Sequence, residues 1–188
     1  MNTMTQKSLQ VLFIFILTAT LSYRAQSQNI FVKVTDEFGA VLTGTSTAVG
    51  FVNQTQIESY GQESSACEGS VNSCFPVTGN FVYNFLMDQT ITDYRRALYL
   101  RRVWRKVEIT FTRLASGGGS LVPYYKVTLE DVNVVGLTEA NEPGTSAIRV
   151  QVKLDPVKIT WTFTPTLSNG AQGTPRSFGY NRSTNTAF

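Results

Sequence analysis

The residue types that usually carry out chemistry are scarce in this chain. Its 188 residues include no histidine and only two cysteines. Without histidine, the chain cannot form a Ser-His-Asp or Cys-His catalytic group or a histidine metal site. Two thiolates alone are too few for a closed zinc site. We therefore expect no metal and no cofactor.

Carboxylates offer little more. The close acidic groupings considered for catalysis are Glu130 with Asp131 and Glu139 with Glu142. Neighbouring side chains of a β-strand point to opposite faces, so Glu130 and Asp131 are predicted to lie apart. The other two acids flank a turn and are expected to be solvated. The sequence thus predicts a protein that is not an enzyme.

The N-terminus has the three parts of a secretory signal peptide. Lys7 supplies a basic start, residues 9–21 are almost wholly apolar, and Ala25 and Ser27 are small residues at a cleavage position. The alternative is a buried core helix. A membrane span needs about 20 apolar residues, so no stable membrane insertion is expected. We predict a signal peptide at residues 1–27, cleaved near Ser27, and a secreted or periplasmic domain at residues 28–188.

Export changes how the charge and the cysteines are interpreted. The formal charge of +3 includes Lys7 and Arg24, which cleavage removes, so the remaining chain is nearly neutral and nucleic acid is not an expected partner. Exported cysteines usually pair, and a Cys67–Cys74 disulfide would contribute roughly 2–3 kcal/mol. The alternative is two free thiols. A reactive thiolate is not expected, because the chain has no histidine and no Lys or Arg beside either cysteine that would favour the ionised form.

Alternating polar and apolar residues dominate the rest of the chain. This period-2 pattern predicts half-buried strands near residues 30–35, 80–85, 107–113, 125–134, 148–155 and 159–163. Between Val134 and Val135 the apolar phase slips by one residue, which predicts a bulge. Turns are predicted at 117–119 and 141–144, and Pro156 is predicted to separate the last two strands.

One segment lacks alternation and is rich in helix formers. We predict a helix over residues 92–104, capped by Thr92 or Asp93, with Ala97, Leu100, Val103 and Trp104 near one face. It carries a basic group of Arg95, Arg96, Arg101 and Arg102. The helix is interpreted as a solvated cover over one mouth of a β-structure, or as a contact for an acidic strip of a neighbouring subunit. Nucleic-acid binding is the weakest alternative.

Two polar stretches remain. Residues 61–79 are predicted to form a long loop that carries both cysteines, and such loops are usually functional or disordered. A polar C-terminal tail from about residue 165 is too short for a second domain.

Several motifs occur in a recognisable order. They are IFVKV at 30–34 followed by Gly39, IESY at 57–60, FVYNF at 81–85, Ala97-Leu98, VEITFTR at 107–113, YYKVTLEDV at 124–132, ITWTFTP at 159–165, Gly173 and GYN at 179–181. Together they resemble the Hcp family, the haemolysin-coregulated tube proteins of type VI secretion. The resemblance runs from about residue 30 to residue 185, and the pair 107–113 and 124–132 is its most recognisable passage.

The resemblance implies a mainly β fold: a small antiparallel β-barrel with one short helix at its side. It implies a homo-hexameric ring, possibly stacked into a tube that serves as conduit and carrier for secreted effector proteins. It also implies that the long loop makes contacts between subunits, and we assign these contacts to Gly61, Glu63, Glu68, Val71 and Phe75. The arginines of the predicted helix are the second candidate contact.

The leader is a departure from the family pattern. Tube proteins of this family are normally assembled in the cytoplasm without a signal peptide. The chain is therefore interpreted as a tube component or as an exported relative. The alternative function is an exported monomeric β-barrel that binds a ligand in the periplasm or at the cell surface. A delivered toxin would need its activity within the barrel itself.

Overall fold

The structure of the protein, a computed structural model, describes residues 28–65, 77–115, 119–141, 144 and 146–188. The helix, α1, spans Ile91–Leu100. The strands are β1 Asn29–Thr35, β2 Thr55–Ile57, β3 Ser59–Ser65, β4 Val77–Leu86, β5 Val103–Leu114, β6 Leu121–Asn141, β7 Ile148–Phe163, β8 Arg176–Asn181 and β9 Thr186–Ala187.

The strands form one antiparallel sheet that closes on itself. Their order is β2-β1-β5-β6-β7-β4-β3. The two outer members, β2 and β3, are halves of one extended segment separated only by Glu58, whose backbone N–H donates to the carbonyl of Asn84 in β4. That segment therefore joins β1 to β4, and the sheet becomes a small barrel. This confirms the predicted fold.

Alternation explains which side chains fill the barrel. In β7, Val150, Val152 and Leu154 are fully buried, while Gln151 and Lys153 between them are more exposed. One cluster of buried side chains from β1, β2, β4 to β7 and α1 occupies the interior. Phe31 departs from this pattern. Its strand neighbours Ile30 and Val32 belong to the interior cluster, so Phe31 lies on the opposite face of β1. It is nevertheless buried, because its ring stacks on Phe51 at 4.4 Å.

The predicted bulge is confirmed. Val134 is registered with Leu154 and Gly136 with Lys153, so Val135 is the extra residue of β6. Val135 is 45% exposed, as expected for a residue displaced from the pleat. β6 pairs antiparallel with both β5 and β7, as connections at the two predicted turn positions require; residues 117, 118, 142 and 143 of those turns lie outside the described part of the chain.

The predicted break at Pro156 is wrong. β7 continues through it, with Pro156 registered opposite Val132 of β6. On its other edge, β7 is registered with β4 only as far as Leu154 and with β8 only from Lys158 onward. The proline therefore lies where β7 passes from one neighbour to the next, a position that tolerates the loss of a backbone donor.

The helix is shorter than predicted. It ends at Leu100, and Arg101 adopts a left-handed conformation with φ of 52° that terminates it. Val103 and Trp104 belong to β5 instead. The cap is also different, because Thr90 precedes the first turn and both its N–H and its hydroxyl donate to Asp88.

The buried face of the helix differs too. It consists of Ile91, Tyr94 and Ala97, whereas Leu100 is 59% exposed. Trp104 is buried as predicted, but it reaches the core from β5. The prediction that the helix covers one mouth of the barrel is supported, since its buried side chains belong to the barrel core.

The predicted loop at residues 61–79 is largely a β-hairpin where the structure describes it. β3 and β4 pair from Ser59–Asn84 to Ser65–Val77, with a bulge opposite Glu63. β3 was not predicted because most of its side chains are polar and exposed, so no alternation with apolar residues marks the strand in the sequence. Residues 66–76 lie outside the described part of the chain.

The polar C-terminal segment contains two strands. β8 pairs with the second half of β7, and β9 folds back on β8. The segment from about residue 165 thus adds a terminal hairpin to the sheet.

Candidate assembly surfaces

The β3–β4 hairpin carries two of the predicted contact residues. Gly61 and Glu63 are both exposed on β3. They border a groove of about 340 Å³ that is also lined by Gln62, Gly79, Asn80, Val82 and Lys153. The other predicted contacts, Glu68, Val71 and Phe75, and the predicted Cys67–Cys74 disulfide lie outside the described residues.

Gln62 fastens this hairpin to the barrel, a role that the sequence analysis missed. Its side-chain oxygen accepts hydrogen bonds from the indole of Trp161 at 3.0 Å and from the Tyr60 hydroxyl at 3.1 Å. Its amide nitrogen donates to the Ser64 hydroxyl at 2.9 Å. One polar side chain therefore joins β3 to β7. A glutamine in a polar stretch gives no signal for such a role in one sequence.

Aromatic rings line the hairpin end of the barrel. Tyr60 meets Phe111 edge to face at 5.2 Å, and Tyr125 lies 5.2 Å from Phe111. Burial raises the pKa of Tyr60 well above its ordinary value, and the neighbouring Tyr125 adds to the rise. These phenols stay neutral at physiological pH. This end of the barrel is therefore lined by uncharged aromatic rings that also carry hydroxyl groups.

The helix end is closed by a denser aromatic cluster. Tyr94 of α1 is fully buried and lies edge to face with Trp104 at 5.0 Å and close to Phe85 at 5.5 Å. Its hydroxyl shares a 2.8 Å hydrogen bond with the hydroxyl of Tyr83. Burial raises the pKa of Tyr83, and the adjacent Tyr94 raises it further. This pair is a packing element, since neither phenol can ionise near neutral pH.

Three of the four predicted helix arginines are paired within the chain. Arg95 makes a two-pronged contact with Glu139 of β6, with its Nη2 at 2.7 Å from both carboxylate oxygens. Arg96 contacts Asp93 at 3.1 Å, and Arg102 contacts Glu37. Arg101 is exposed at the end of the helix. The basic group therefore helps to position α1 on the barrel as well as presenting charge.

The prediction that Glu130 and Asp131 point apart is wrong. Both carboxylates approach the amine of Lys158, at 3.8 and 4.0 Å. The reason is local: Asp131 has a φ of 53°, which interrupts the alternation of the strand. All three side chains are well exposed, so the cluster resembles an ordinary surface ion pair. Of the other two acids considered above, Glu139 is bound by Arg95, and Glu142 lies outside the described residues.

The wall between the two ends carries a half-buried ion cluster. Glu108 lies 2.5 Å from the amine of Lys126 and 3.4 Å from that of Lys106. Partial burial alone would raise the pKa of Glu108, but the hydrogen bond and charge of Lys126 and the charge of Lys106 hold it below its ordinary value.

Within the described residues, no group of three or more acidic, cysteine or histidine side chains is placed to hold a metal ion. In the same part of the chain, no helix has the length and apolar character that a membrane crossing requires.

The described residues thus form a barrel with a packed core and a β3–β4 hairpin at one end. Residues 31–163 match the family model for the type VI secretion system effector Hcp. The chain belongs to the Hcp family, the structural tube proteins of type VI secretion. No curated protein matches the chain.

Solved structures share the fold at low sequence identity. A structure described as a type six secretion system protein has a TM-score of 0.74 at 14% identity, covering 86% of this chain and 100% of its own. Hcp1 from Salmonella typhimurium has a TM-score of 0.66 at 15% identity, covering 86% and 99%. The secreted protein Hcp3 from Pseudomonas aeruginosa has a TM-score of 0.60 at 18% identity, covering 82% and 98%.

Proposed function

We propose that this chain forms a homo-hexameric ring, that rings stack, and that the resulting tube carries secreted effector proteins. The observation that carries the proposal is the extended β3–β4 hairpin, which projects exposed backbone and side chains from a barrel whose interior is already filled. Such a subunit has surfaces for assembly in place of a site for chemistry.

The packed interior favours this role over a ligand-binding barrel. Phe81, Tyr83 and Phe85 of β4 are completely buried, and the rings of Tyr83 and Phe85 contact Tyr94 of the helix. A binding barrel of comparable size would need an apolar cavity large enough for its ligand. The groove beside Gly61 is instead open and half polar, which suits contact with another protein.

Contacts between subunits are assigned to the hairpin, through Gly61 and Glu63 and through the loop residues Glu68, Val71 and Phe75. A disulfide between Cys67 and Cys74 would stiffen the tip of the same hairpin. The exposed Arg101 is the helix residue best placed to meet an acidic partner, because its three neighbours are paired internally.

Export completes the proposal. β1 begins at Asn29, two residues after the predicted cleavage at Ser27, so removal of residues 1–27 takes nothing from the described barrel. The mature protein would then be secreted or periplasmic.

Native mass spectrometry of the mature protein tests the ring. Gly61→Arg is the informative variant, because a Cβ atom added at Gly61 would have no atom within 4 Å beyond its neighbours in the chain. We expect the natural chain to form hexamers and Gly61→Arg to shift them toward monomers without loss of thermal stability. Thr174→Arg, at an exposed position outside the hairpin, is the matched control.

A strict monomer at high concentration would overturn the ring. Effector transport is tested separately, in a strain that lacks this chain. We expect effector release to fall and to be restored by the natural chain, but not by Gly61→Arg. Unchanged release without the chain would contradict the carrier role while leaving the ring intact.

A further inference from the structure

We propose that Gln28 is a modification site: once exposed as the mature N-terminus, it cyclises to pyroglutamate. The inference rests on the cleavage after Ser27 that belongs to the proposed function. It concerns the chemistry of the new end, which the ring and tube roles do not require.

The reaction needs only the residue itself. The α-amine nitrogen of Gln28 attacks its own side-chain carbonyl carbon, a five-membered lactam forms, and the Cδ–Nε2 bond breaks. Nε2 leaves as ammonia with the proton that the amine gives up. No oxidant, reductant or second substrate is required. An asparagine at this position would have to form a strained four-membered ring, so the reaction depends on glutamine.

The structure holds this end in place. Asn29 is already part of β1, where its carbonyl accepts a hydrogen bond from the buried Thr112 hydroxyl at 2.9 Å. Gln28 is exposed, and its Nε2 donates to the Tyr124 hydroxyl, a hydrogen bond that is given up when Nε2 leaves as ammonia. The mature α-amine would therefore lie one residue from the sheet, at the surface and open to solvent or to an enzyme.

The electrostatics of the site favour a neutral end. Gln28 borders a pocket of about 220 Å³, and among the described residues its other lining side chains are Thr112, Arg113 and Tyr124, none of them acidic. The guanidinium of Arg113 lies 5.6 Å from the Tyr124 ring that holds the Gln28 amide. A free α-ammonium of Gln28 would add a second positive charge to the pocket that Arg113 also lines, and lactam formation removes that charge.

The consequence is protection of the barrel from its N-terminus. An aminopeptidase that removed Gln28 and then Asn29 would begin to dismantle β1, whose residues pair with both β2 and β5. A lactam has no free α-amine for such an enzyme to recognise. The modification would thus suit a chain that works outside the cytoplasm.

Peptide mass spectrometry of the exported, reduced and trypsin-digested protein tests the proposal. Trypsin cuts after Lys33, so a cleaved chain yields the peptide of residues 28–33. After overnight incubation at neutral pH, we expect this peptide to lack one ammonia and to resist aminopeptidase. The Gln28→Asn variant should keep its full mass and be degraded from this end.

Each result is decisive. A peptide 28–33 of full mass with a free amine overturns the cyclisation but leaves the cleavage and the proposed function standing. A peptide of residues 25–33, produced by trypsin at Arg24, shows that the leader is retained and overturns both the cleavage and the modification. An equal loss of ammonia in Gln28→Asn would place the reaction elsewhere and also overturn the proposal.

Discussion

The two ends of the barrel are closed by different means. At the helix end, α1 inserts Tyr94 among Trp104, Phe85 and Tyr83, and all four side chains are buried to within 2% of complete burial. At the hairpin end, Tyr60, Tyr125 and Trp161 are only partly buried, and the polar side chain of Gln62 links β3 to β7. One end is a hydrophobic plug, and the other is a hydrogen-bonded rim.

This difference separates stability from assembly. Buried aromatic side chains contribute most per residue to folding, whereas partly exposed polar links can exchange with water at little cost. We expect the helix end to determine whether the subunit folds. We expect the hairpin end to determine how the folded subunit meets another one.

Trp104→Ala gives the largest expected effect. Removal of this buried side chain from the helix end should lower the free energy of unfolding by about 3–5 kcal/mol. Urea denaturation measures the loss. Tyr99→Ala is the control, because Tyr99 is also an aromatic residue at the helix end, on α1, but its side chain is 80% exposed and its removal should change little. Equal losses in the two variants would contradict the plug.

Tyr94→Phe tests the hydroxyl pair inside the plug. It leaves the Tyr83 hydroxyl buried without its 2.8 Å partner, which should cost about 1–3 kcal/mol. The double variant Tyr83→Phe/Tyr94→Phe removes both polar groups and should recover part of that loss. A double variant less stable than the single one would show that the hydrogen bond is not the source of the effect.

Gln62→Ala tests the hairpin end. Loss of its bonds to Trp161 and Tyr60 should lower the free energy of unfolding by only about 0.5–1.5 kcal/mol, because the site is partly solvated. Hexamer formation, measured by light scattering, should fall more sharply than stability does. Gln151→Ala, on the outer face of β7, should leave both unchanged. A large loss of stability in Gln62→Ala would contradict the expectation that the hairpin end contributes less to folding than the helix end does.

Glu108→Gln probes the wall between the ends and has the smallest expected effect. The pKa of Glu108 is lower in the folded chain, so its ion pairs stabilise fully above the ordinary carboxyl pKa. That contribution disappears as the pH falls through the lowered value. Because the side chains of Lys106 and Lys126 are 41% and 42% exposed, the variant should lose less than about 1 kcal/mol at neutral pH and nothing in strong acid. Urea midpoints at both pH values measure this, and a difference that grows on acidification would contradict the sign.

Local patterns in the sequence predicted most of the fold. Alternation located the long strands, and the one-residue slip at Val135 located the bulge, because the side-chain period of a strand is fixed by its backbone. β3 was missed because it has few apolar residues to mark the alternation. The helix was extended too far because Val103 and Trp104 fit its spacing, although the left-handed Arg101 ends it.

The candidate surfaces were only partly predictable. The family resemblance pointed to the β3–β4 region, but no pattern marks Gln62 as its anchor. Nor does spacing reveal that Arg95 reaches Glu139, which lies in a different element. Such contacts depend on which strands become neighbours, and that is a property of the closed sheet.

By itself the sequence determined which residues are apolar, how they alternate and that histidine chemistry is absent. Only the tertiary structure decided that Pro156 lies within a strand, that Glu130 and Asp131 meet at Lys158, and that Gln28 ends beside Arg113. The physical reason is that a pattern fixes the faces of each strand, whereas register, closure and single left-handed residues bring distant side chains together.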